Sequence, residues 1–485
     1  MIAILHTSPA STARCAALIA LLSAGVLSAA CSDGKDVTVR VIDDGGGAAD
    51  SALDAGEGAG EGEGDAGVEG DASAHAPEFS GEVTCTVSPC VTALSARGGS
   101  HICALLSDKT VRCWGSNSSG QLGAETPLTD DAGAGGGGAS GGPYSGKPVA
   151  VANLADVTQI SVSGGSGGTS CARVSDGSVM CWGSNTFGQL GMGADRVIAD
   201  AVAHTSAARV QGLPLASRVD VAGAFACAVG ELGPDGEGSS MFCWGGNSVL
   251  QLGRGYLPRQ NGVAGPVNLR YHRVLAGAGT TRVGFALGDD GDVLSWGGAE
   301  WNVTDATKRD ALARETSFSP DGDPREIPRL HHVTRIVAGD GHACALSQGT
   351  VYCWGRNTTG AVGNSSRLDV FAPFPVALMG ARSIREMAVS NLTTCAADER
   401  GRAYCWGDNT SGQLGSGDAE PTLLPVAVEG LKKDARVVQL ATMDKATCAL
   451  LEDGSVQCWG SNALGQLGIG TKDDLPHHAP QTVVF

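Results

Sequence analysis

The sequence predicts an all-β repeat protein of seven similar units, and three observations carry that reading. Cys-Trp-Gly recurs at Cys113-Trp114-Gly115, Cys181-Trp182-Gly183, Cys243-Trp244-Gly245, Cys353-Trp354-Gly355, Cys405-Trp406-Gly407 and Cys458-Trp459-Gly460, with Ser295-Trp296-Gly297 as a seventh, variant copy. Seven of the eight tryptophans thus occupy one repeated position, at spacings of 68, 62, 52, 58, 52 and 53 residues, each the length of one supersecondary unit. The third observation is composition: 73 glycines against 5% aromatics speak for many turns and crowded backbones, not a helical enzyme core.

Taken from its start, the chain reads first as an address. Arg14 precedes an apolar run from Ala16 to Leu27, followed by Ser28-Ala29-Ala30-Cys31. This pattern resembles a bacterial lipoprotein signal over residues 1–31, with Cys31 as the lipidated first residue of the mature chain. The lipoprotein pattern wants Leu three residues before the cysteine, where this chain has Ser28 and holds Leu27 one step earlier. The apolar run is too short for a transmembrane helix of the usual ~20 residues. Residues 32–80 form a linker of Gly, Ala, Asp, Glu and Ser, expected to be disordered because it lacks the apolar residues that would offset chain entropy. It holds 13 acids from Asp33 to Glu78 against Lys35 and Arg40, so much of the net charge of -18 lies there. The folded domain is expected over 81–485. A mildly acidic domain on an acidic stalk, without clustered Lys and Arg, excludes nucleic acid as a partner.

Each unit reads as four strands. A run of small and β-branched residues comes first, as in Val157 to Ser163 or Thr334 to Ala338. A second strand carries a cysteine, and a tight turn leads to a third that ends in Cys-Trp-Gly. A turn of the form Asn-x-x-Gly-Gln-Leu-Gly follows, as at Asn185 to Gly191 and Asn462 to Gly468. The outer strand starts near a proline (Pro425, Pro480), which an edge strand tolerates because its outward N–H needs no partner. With Cys171 opposite Cys181, the hairpin loop is Ser175-Asp176-Gly177, a three-residue loop with Gly at its left-handed position. The same register leaves Glu399-Arg400-Gly401, Glu452-Asp453-Gly454 and the two-residue Gln348-Gly349 as loops. The first unit has Lys109 where Gly is expected, and the third has a longer hairpin from Gly230 to Ser240.

The register pairs the cysteines as Cys103–Cys113, Cys171–Cys181, Cys227–Cys243, Cys344–Cys353, Cys395–Cys405 and Cys448–Cys458. Unit four has Phe285 and Ser295 at these positions, so both cysteines are lost together, as partners would be. Of 16 cysteines, Cys15 and Cys31 belong to the signal, and Cys85 with Cys90 completes the pairing. A framework of this kind implies an oxidising compartment. A zinc site is the rival, but the cysteines alternate with apolar residues along strands and lack Cys-x-x-Cys ligand pairs, so no metal is expected.

These motifs resemble the regulator of chromosome condensation repeat. The matching pattern is Gly-x-x-His-x-x-Ala-Leu, then Asp-Gly-x-Val-x-x-Trp-Gly-x-Asn-x-x-Gly-Gln-Leu-Gly, clearest at Gly339 to Leu346 and Asp453 to Gly468. The resemblance covers Val91 to Phe485 and implies a seven-bladed β-propeller of four-stranded blades. Small residues on the first strands (Ser161, Ser163, Ala338, Ala441) fit a crowded axis. The Trp and the Leu of Gly-Gln-Leu-Gly would pack between blades, and the Asn would close an Asx turn. Family members often split one blade between the termini; this chain does not, so ring closure would rest on packing of blade one against blade seven.

For function, three classes compete. The family's named activity, nucleotide exchange on a small GTPase, conflicts with an exported, disulfide-bonded, lipid-anchored chain. An enzyme lacks its parts: His101 and His342 sit at the repeat histidine and read as packing residues, and Gly164 to Gly168 resembles a phosphate loop only in composition. No cofactor is expected. The favoured reading is a non-enzymatic binding or scaffold module of the cell envelope, a monomer at the outer membrane or cell surface that presents loops to a protein or glycan partner. Blade four lacks the turn Asn (Ala299 stands there) and the Gly-Gln-Leu-Gly, and runs instead through Glu300 to Pro328 with Trp301, Arg309, Arg314 and Phe318 as candidate anchors.

Overall fold

The computed structural model describes residues 82–124, 143–193, 198–230, 241–255, 260–269, 273–298, 311–315 and 320–485, with two three-residue strands nearer the start. The chain divides into two units, Met1–Asp71 and Ala72–Phe485. In the first, Ser28–Ala30 pairs antiparallel with Asp36–Thr38, Ala29 opposite Val37. The rest of the expected signal, Cys31 and the rest of the linker lie outside the described residues.

In the second unit, seven four-stranded antiparallel sheets follow one another as the blades of a seven-bladed propeller. Blade six shows the plan: Ile384–Val389, Thr393–Asp398, Ala403–Gly407 and Thr422–Ala427, each strand hydrogen-bonded to the next in sequence. The innermost strands of the seven blades are Val91–Ser95, Val157–Ser163, Ala216–Val221, Val274–Gly279, Val333–Ala338, Ile384–Val389 and Val437–Thr442. Blade one and blade seven are each built from contiguous chain, so no blade is shared between the termini. The last outer strand is Pro476–Thr482, so Pro480, expected near its start, lies inside it. Pro425 likewise sits within Thr422–Ala427 and not at its start, on the edge where no ladder partner is required.

The hairpin arithmetic holds. Gly177, Gly401 and Gly454 are left-handed at φ 83, 76 and 88, and the flanking pair Val174 N–H to Ser178 O closes at 2.9 Å. Lys109 takes the same left-handed place at φ 64, and Gln348-Gly349 forms a two-residue loop with both φ positive, 49 and 78. The long hairpin of blade three runs through residues outside the described set. All six cross-strand cysteine pairs stand directly opposite and are bonded, as is Cys85–Cys90. In blade four Phe285 faces Ser295 in the same register, and the phenyl ring packs edge-on to Trp354 at 6.0 Å.

Seven hydrophobic clusters fill the seven interfaces. Each holds the tryptophan of one blade and the apolar turn residue of the blade before: Trp182 with Leu122, Trp244 with Leu190, Trp296 with Leu252, Trp406 with Val362, Trp459 with Leu414, and Trp114 with Leu467 across the seam. The indole N–H fixes the contact by donating to the turn carbonyl, as from Trp182 to Gln121 O (2.9 Å) and from Trp114 to Gln466 O (3.0 Å). The turn Asn works at longer range than an Asx turn. Its Oδ1 accepts from the N–H five residues on, Asn117 from Leu122 at 3.0 Å and Asn409 from Leu414 at 3.0 Å, holding the apolar residue in place.

Blade four makes this contact with a sequence that hides it. Ala311 O accepts the Trp354 indole at 2.8 Å and Leu312 fills the leucine site, while Ala313 is left-handed at φ 56 where other blades use Gly. Residues 311–313 thus stand in for the last three residues of Gly-Gln-Leu-Gly, although the motif itself is absent from blade four as read from the sequence.

Candidate functional site: the central channel

Seven innermost strands around one axis leave a cavity of about 380 Å³. At one register position of these strands five of the seven residues are polar or charged, Gln159, Arg218, Arg335, Glu386 and Gln439, and all of these but Glu386 line the cavity. The sequence reading foresaw only small residues on these strands. Ser163, Ala338 and Ala441 are indeed buried there, but the polar ring was missed. Aligning the strands by repeat register would have found it, since the same step in five of the seven strands carries a polar residue.

Much of this polarity is structural. Gln159 accepts the Val219 N–H at 2.8 Å and donates to the Val219 carbonyl at 2.9 Å, so one side-chain amide acts as a rung of ladder between blades two and three. Gln439 does the same to Leu94, at 2.7 and 2.9 Å, and thereby bridges blade seven to blade one. Ser95, Ser161 and Asp220 accept the N–H of Val162, Val221 and Gly277 in the next blade. Arg218 grips Asp220 with Nε and Nη2, at 2.9 to 3.1 Å. Arg335 holds Glu386 through both terminal nitrogens at 2.8 Å. Burial pushes the Glu386 carboxyl up, while Arg335 and the N–H groups of Leu440 and Met387 pull it back.

One end of the channel is closed. The inner loops of blades one, two and three meet glycine to glycine: a Cβ on Gly99 would stand 2.4 Å from the Gly164 Cα, and one on Gly165 would stand 2.7 Å from the Gly223 Cα. In the glycine-rich stretch at 164–168, Gly164 and Gly165 meet neighbouring backbone at this crossing, while Gly167 and Gly168 lie against the side chains of Ser119, Ser184 and Gln121, so close packing accounts for these glycines. Across the same end lies Arg97, whose Nη2 donates to the Gly279 carbonyl of blade four, on the far side of the axis. Its Nε is buried with no acceptor. Burial lowers the guanidinium to about 10, and Asp340 and Asp220 act on it in the opposite sense. Beside it, burial raises Asp340, and Asp444 is raised to about 6 by burial and by Asp340.

The repeat histidines are inner packing residues. His101 and His342 are buried, with Nε2 at 3.1 Å from Ser170 Oγ and 2.7 Å from Thr394 Oγ1 of the next blade. Those hydroxyls donate onward to Gln121 O and Ala361 O, so each ring is an Nε2–H donor. Burial holds both rings at about 4, neutral at ordinary pH.

Among the candidate anchors, Trp301, Arg309 and Phe318 lie outside the described residues. Arg314 does not reach outward. It is 6% exposed, pairs with Asp321 at 2.9 Å, and bonds the Ser295 carbonyl and hydroxyl at 3.0 and 3.1 Å. Serine in place of the blade's cysteine supplies that hydroxyl acceptor, and Asp321 supplies the countercharge, so Arg314 is a packing cation of blade four and not a surface anchor. Among described residues, large exposed apolar side chains recur on blade five and the edge of blade six: Leu368, Phe371, Phe374, Met379 and Leu424.

Comparison with known proteins agrees with this architecture. One family model described as "Regulator of chromosome condensation (RCC1) repeat" matches residues 348–397 and 400–450, and a second of the same description matches 91–121, 157–189, 333–361, 384–413 and 437–466. The Ultraviolet-B receptor UVR8 of Arabidopsis thaliana is 31% identical over 31% of this chain and 35% of its own length. The guanine nucleotide exchange factor SRM1 of Saccharomyces cerevisiae is 30% identical over 47% of this chain and 54% of its own length. These curated relatives are thus matched over about half their length or less. Among solved structures, Prp20p from Saccharomyces cerevisiae superposes with a TM-score of 0.60 at 19% identity, covering 82% of this chain and 88% of that one, which establishes the shared fold.

Proposed function

We propose that this chain, a seven-bladed propeller of RCC1-type repeats, is an exported, non-enzymatic binding or scaffold module, tethered by a lipid on Cys31 and presenting its loops to a protein or glycan partner. The observation that carries the address is the disulfide framework. Six bridges are each buried across a hairpin, and a seventh fixes residues 85–90 against blade seven. Such a set supports an oxidising compartment, since cytosolic reductants keep most thiols free. It also argues against nucleotide exchange on a cytosolic GTPase, although a relative carries that name.

A rigid frame supports the binding reading. Blades are tied at the core by side-chain rungs and at mid-radius by tryptophan latches, so partner contacts fall to the periphery, where binding usually lives. The exposed apolar residues of blade five and the edge of blade six favour a protein partner, since such side chains are costly to leave in water. Trp301, Arg309 and Phe318 remain proposed anchors in the blade-four insertion.

The test of the address is fractionation of exported wild type and Cys31→Ser. Wild type is expected in the membrane fraction and the variant in the soluble one; a wild type soluble after export would replace lipidation with simple secretion. The test of partner binding replaces 300–310 with a short Gly-Ser turn, leaving Ala311, Leu312 and Arg314 in place. Loss of partner capture at an unchanged melting temperature supports the binding loop, and retained capture assigns it as spacer.

A further inference from the structure

We propose that the Cys85–Cys90 bridge is a thiol-exchange site, opened selectively by a dithiol reductant so that the arm at 82–89 leaves the seam between blades one and seven. The twelve cysteines of the blade hairpins are 0% to 3% exposed, and Cys90 is 5% exposed. Cys85 is the exposed member of the set, with Thr84 and Thr86 exposed on either side of it. Exchange needs a thiolate to reach a sulfur, and accessible bridges are the labile or regulatory ones. The Cys90 sulfur lies so close to Gly454 that a Cβ there would stand 2.5 Å from it, so the open approach is to the Cys85 sulfur. Attack by one thiol of the reductant on Cys85 Sγ breaks the bond to Cys90, and the electron pair leaves on Cys90 Sγ as a thiolate. The second thiol of the reductant then displaces Cys85 Sγ from the mixed disulfide. Each departing thiolate takes up the proton its attacker lost, leaving two cysteine thiols and an oxidised, cyclic reductant.

The hydrogen bonds show what the bridge holds and what it does not. The first residue of an inner strand donates its N–H to the hairpin loop of the blade before, as from Val157 to Lys109 O, Val333 to Gly291 O and Val437 to Gly401 O. At the seam Val91 makes the same bond to Gly454 O at 3.0 Å, so this contact belongs to the repeat and does not need the bridge. Thr84 and Thr86 lie before the repeat begins. Their N–H groups donate to Glu452 O at 2.7 Å and Asp453 O at 3.0 Å, and Val83 packs against the apolar cluster of the seam. Cys85 sits between the two threonines, and its tether to Cys90, five residues on, limits the conformations the arm gains on leaving. Opening the bridge restores that entropy, so the arm comes away while blade one stays in the ring. The site is separate from the peripheral loops of the binding reading and stands whether or not that reading holds.

The experiment incubates the full, disulfide-intact protein with dithiothreitol in the absence of denaturant, quenches with iodoacetamide at intervals and maps the labelled peptides. Cys85 and Cys90 are expected to label faster than every blade cysteine by a factor of about ten or more, because a covered bridge is reached only through local unfolding. Hydrogen exchange of the selectively reduced protein then follows the arm. The stretch 82–88 should lose its protection while the Val91 amide keeps its own. Cys85→Ser/Cys90→Ser should give the same exchange pattern without reductant; if that variant does not fold, the wild-type measurement decides alone. A blade bridge reduced as fast as Cys85–Cys90, or an arm still protected after selective reduction, would overturn the proposal.

Discussion

Restoring the missing disulfide of blade four should weaken the protein. Phe285 and Ser295 occupy the register of the other six bridges, so the double variant Phe285→Cys/Ser295→Cys is geometrically able to close. A loop of that length gives about 3 kcal/mol in the chain-entropy account. Against this stands the loss of a fully buried phenyl ring in contact with Trp354, about 3 to 5 kcal/mol for truncation to a small residue. The Ser295 hydroxyl, which donates to Leu312 O at 2.7 Å and accepts from Arg314, is lost as well, at roughly 1 kcal/mol for each bond. The sum is a net loss of about 2 kcal/mol or more with the bridge formed. Calorimetry at one scan rate, with thiol counting to prove closure, should show melting a few degrees below wild type. A closed variant melting above wild type would refute the claim that Phe285, Ser295 and Arg314 form an alternative core for this blade.

Two further outcomes follow from the same packing. Leu312→Ala should cost about 2 to 5 kcal/mol, as much as Leu190→Ala, because both residues are buried in the same kind of blade interface although only one sits in a recognisable motif; denaturant midpoints of the two variants compare them directly. Stability should also fall on acidification through the repeat histidines. His101 and His342 titrate at about 4 when folded, below the ordinary value of 6.5, so the unfolded chain binds more protons between these values. Their contribution is whole above pH 6.5 and is lost as pH drops toward 4, and His342→Gln should flatten that part of the stability profile relative to wild type.

The repeat, the hairpin loops and all seven bridges were legible because each rests on residues with narrow conformational or chemical roles: Trp, Cys and left-handed Gly. Lys109 shows the limit of that, since its backbone takes the same turn without the marker residue. The blade-four contact stayed hidden for the same reason. Its latch uses only the backbone carbonyl of Ala311, the side chain of Leu312 and the φ of Ala313, so Gln and both glycines could vanish while the geometry stayed. Arg314 was read as outward because Arg in a long polar insertion usually is; its burial depends on Asp321 and on a serine 19 residues earlier, partners that only the fold brings together. The polar channel residues were hidden because five of the seven strands carry one at the same step, and only superposing the repeats brings these separate residues into one register.

The seam between blades seven and one bears on how the propeller stays shut without a shared blade. A split blade would close the ring with a full ladder of backbone bonds. Here Gln439 supplies one rung to Leu94, the Trp114 latch on Gln466 repeats the contact made elsewhere, and Gly98 N–H bonds Thr442 O at 3.2 Å. The arm before the first strand adds what the other interfaces lack: Thr84 and Thr86 donate to Glu452 and Asp453 carbonyls, and Cys90 packs against Gly454 so closely that a Cβ there would stand 2.5 Å from its sulfur. Phe485 lies edge-on to Trp114 at 5.8 Å from the other side. Both chain ends of the propeller are therefore spent on one interface, and the Cys85–Cys90 bridge holds the arm in the shape that reaches it. Closure here comes from many small local contacts in place of one shared blade, and Arg97, two residues past the first strand, lies where the blade-one loop meets its neighbours.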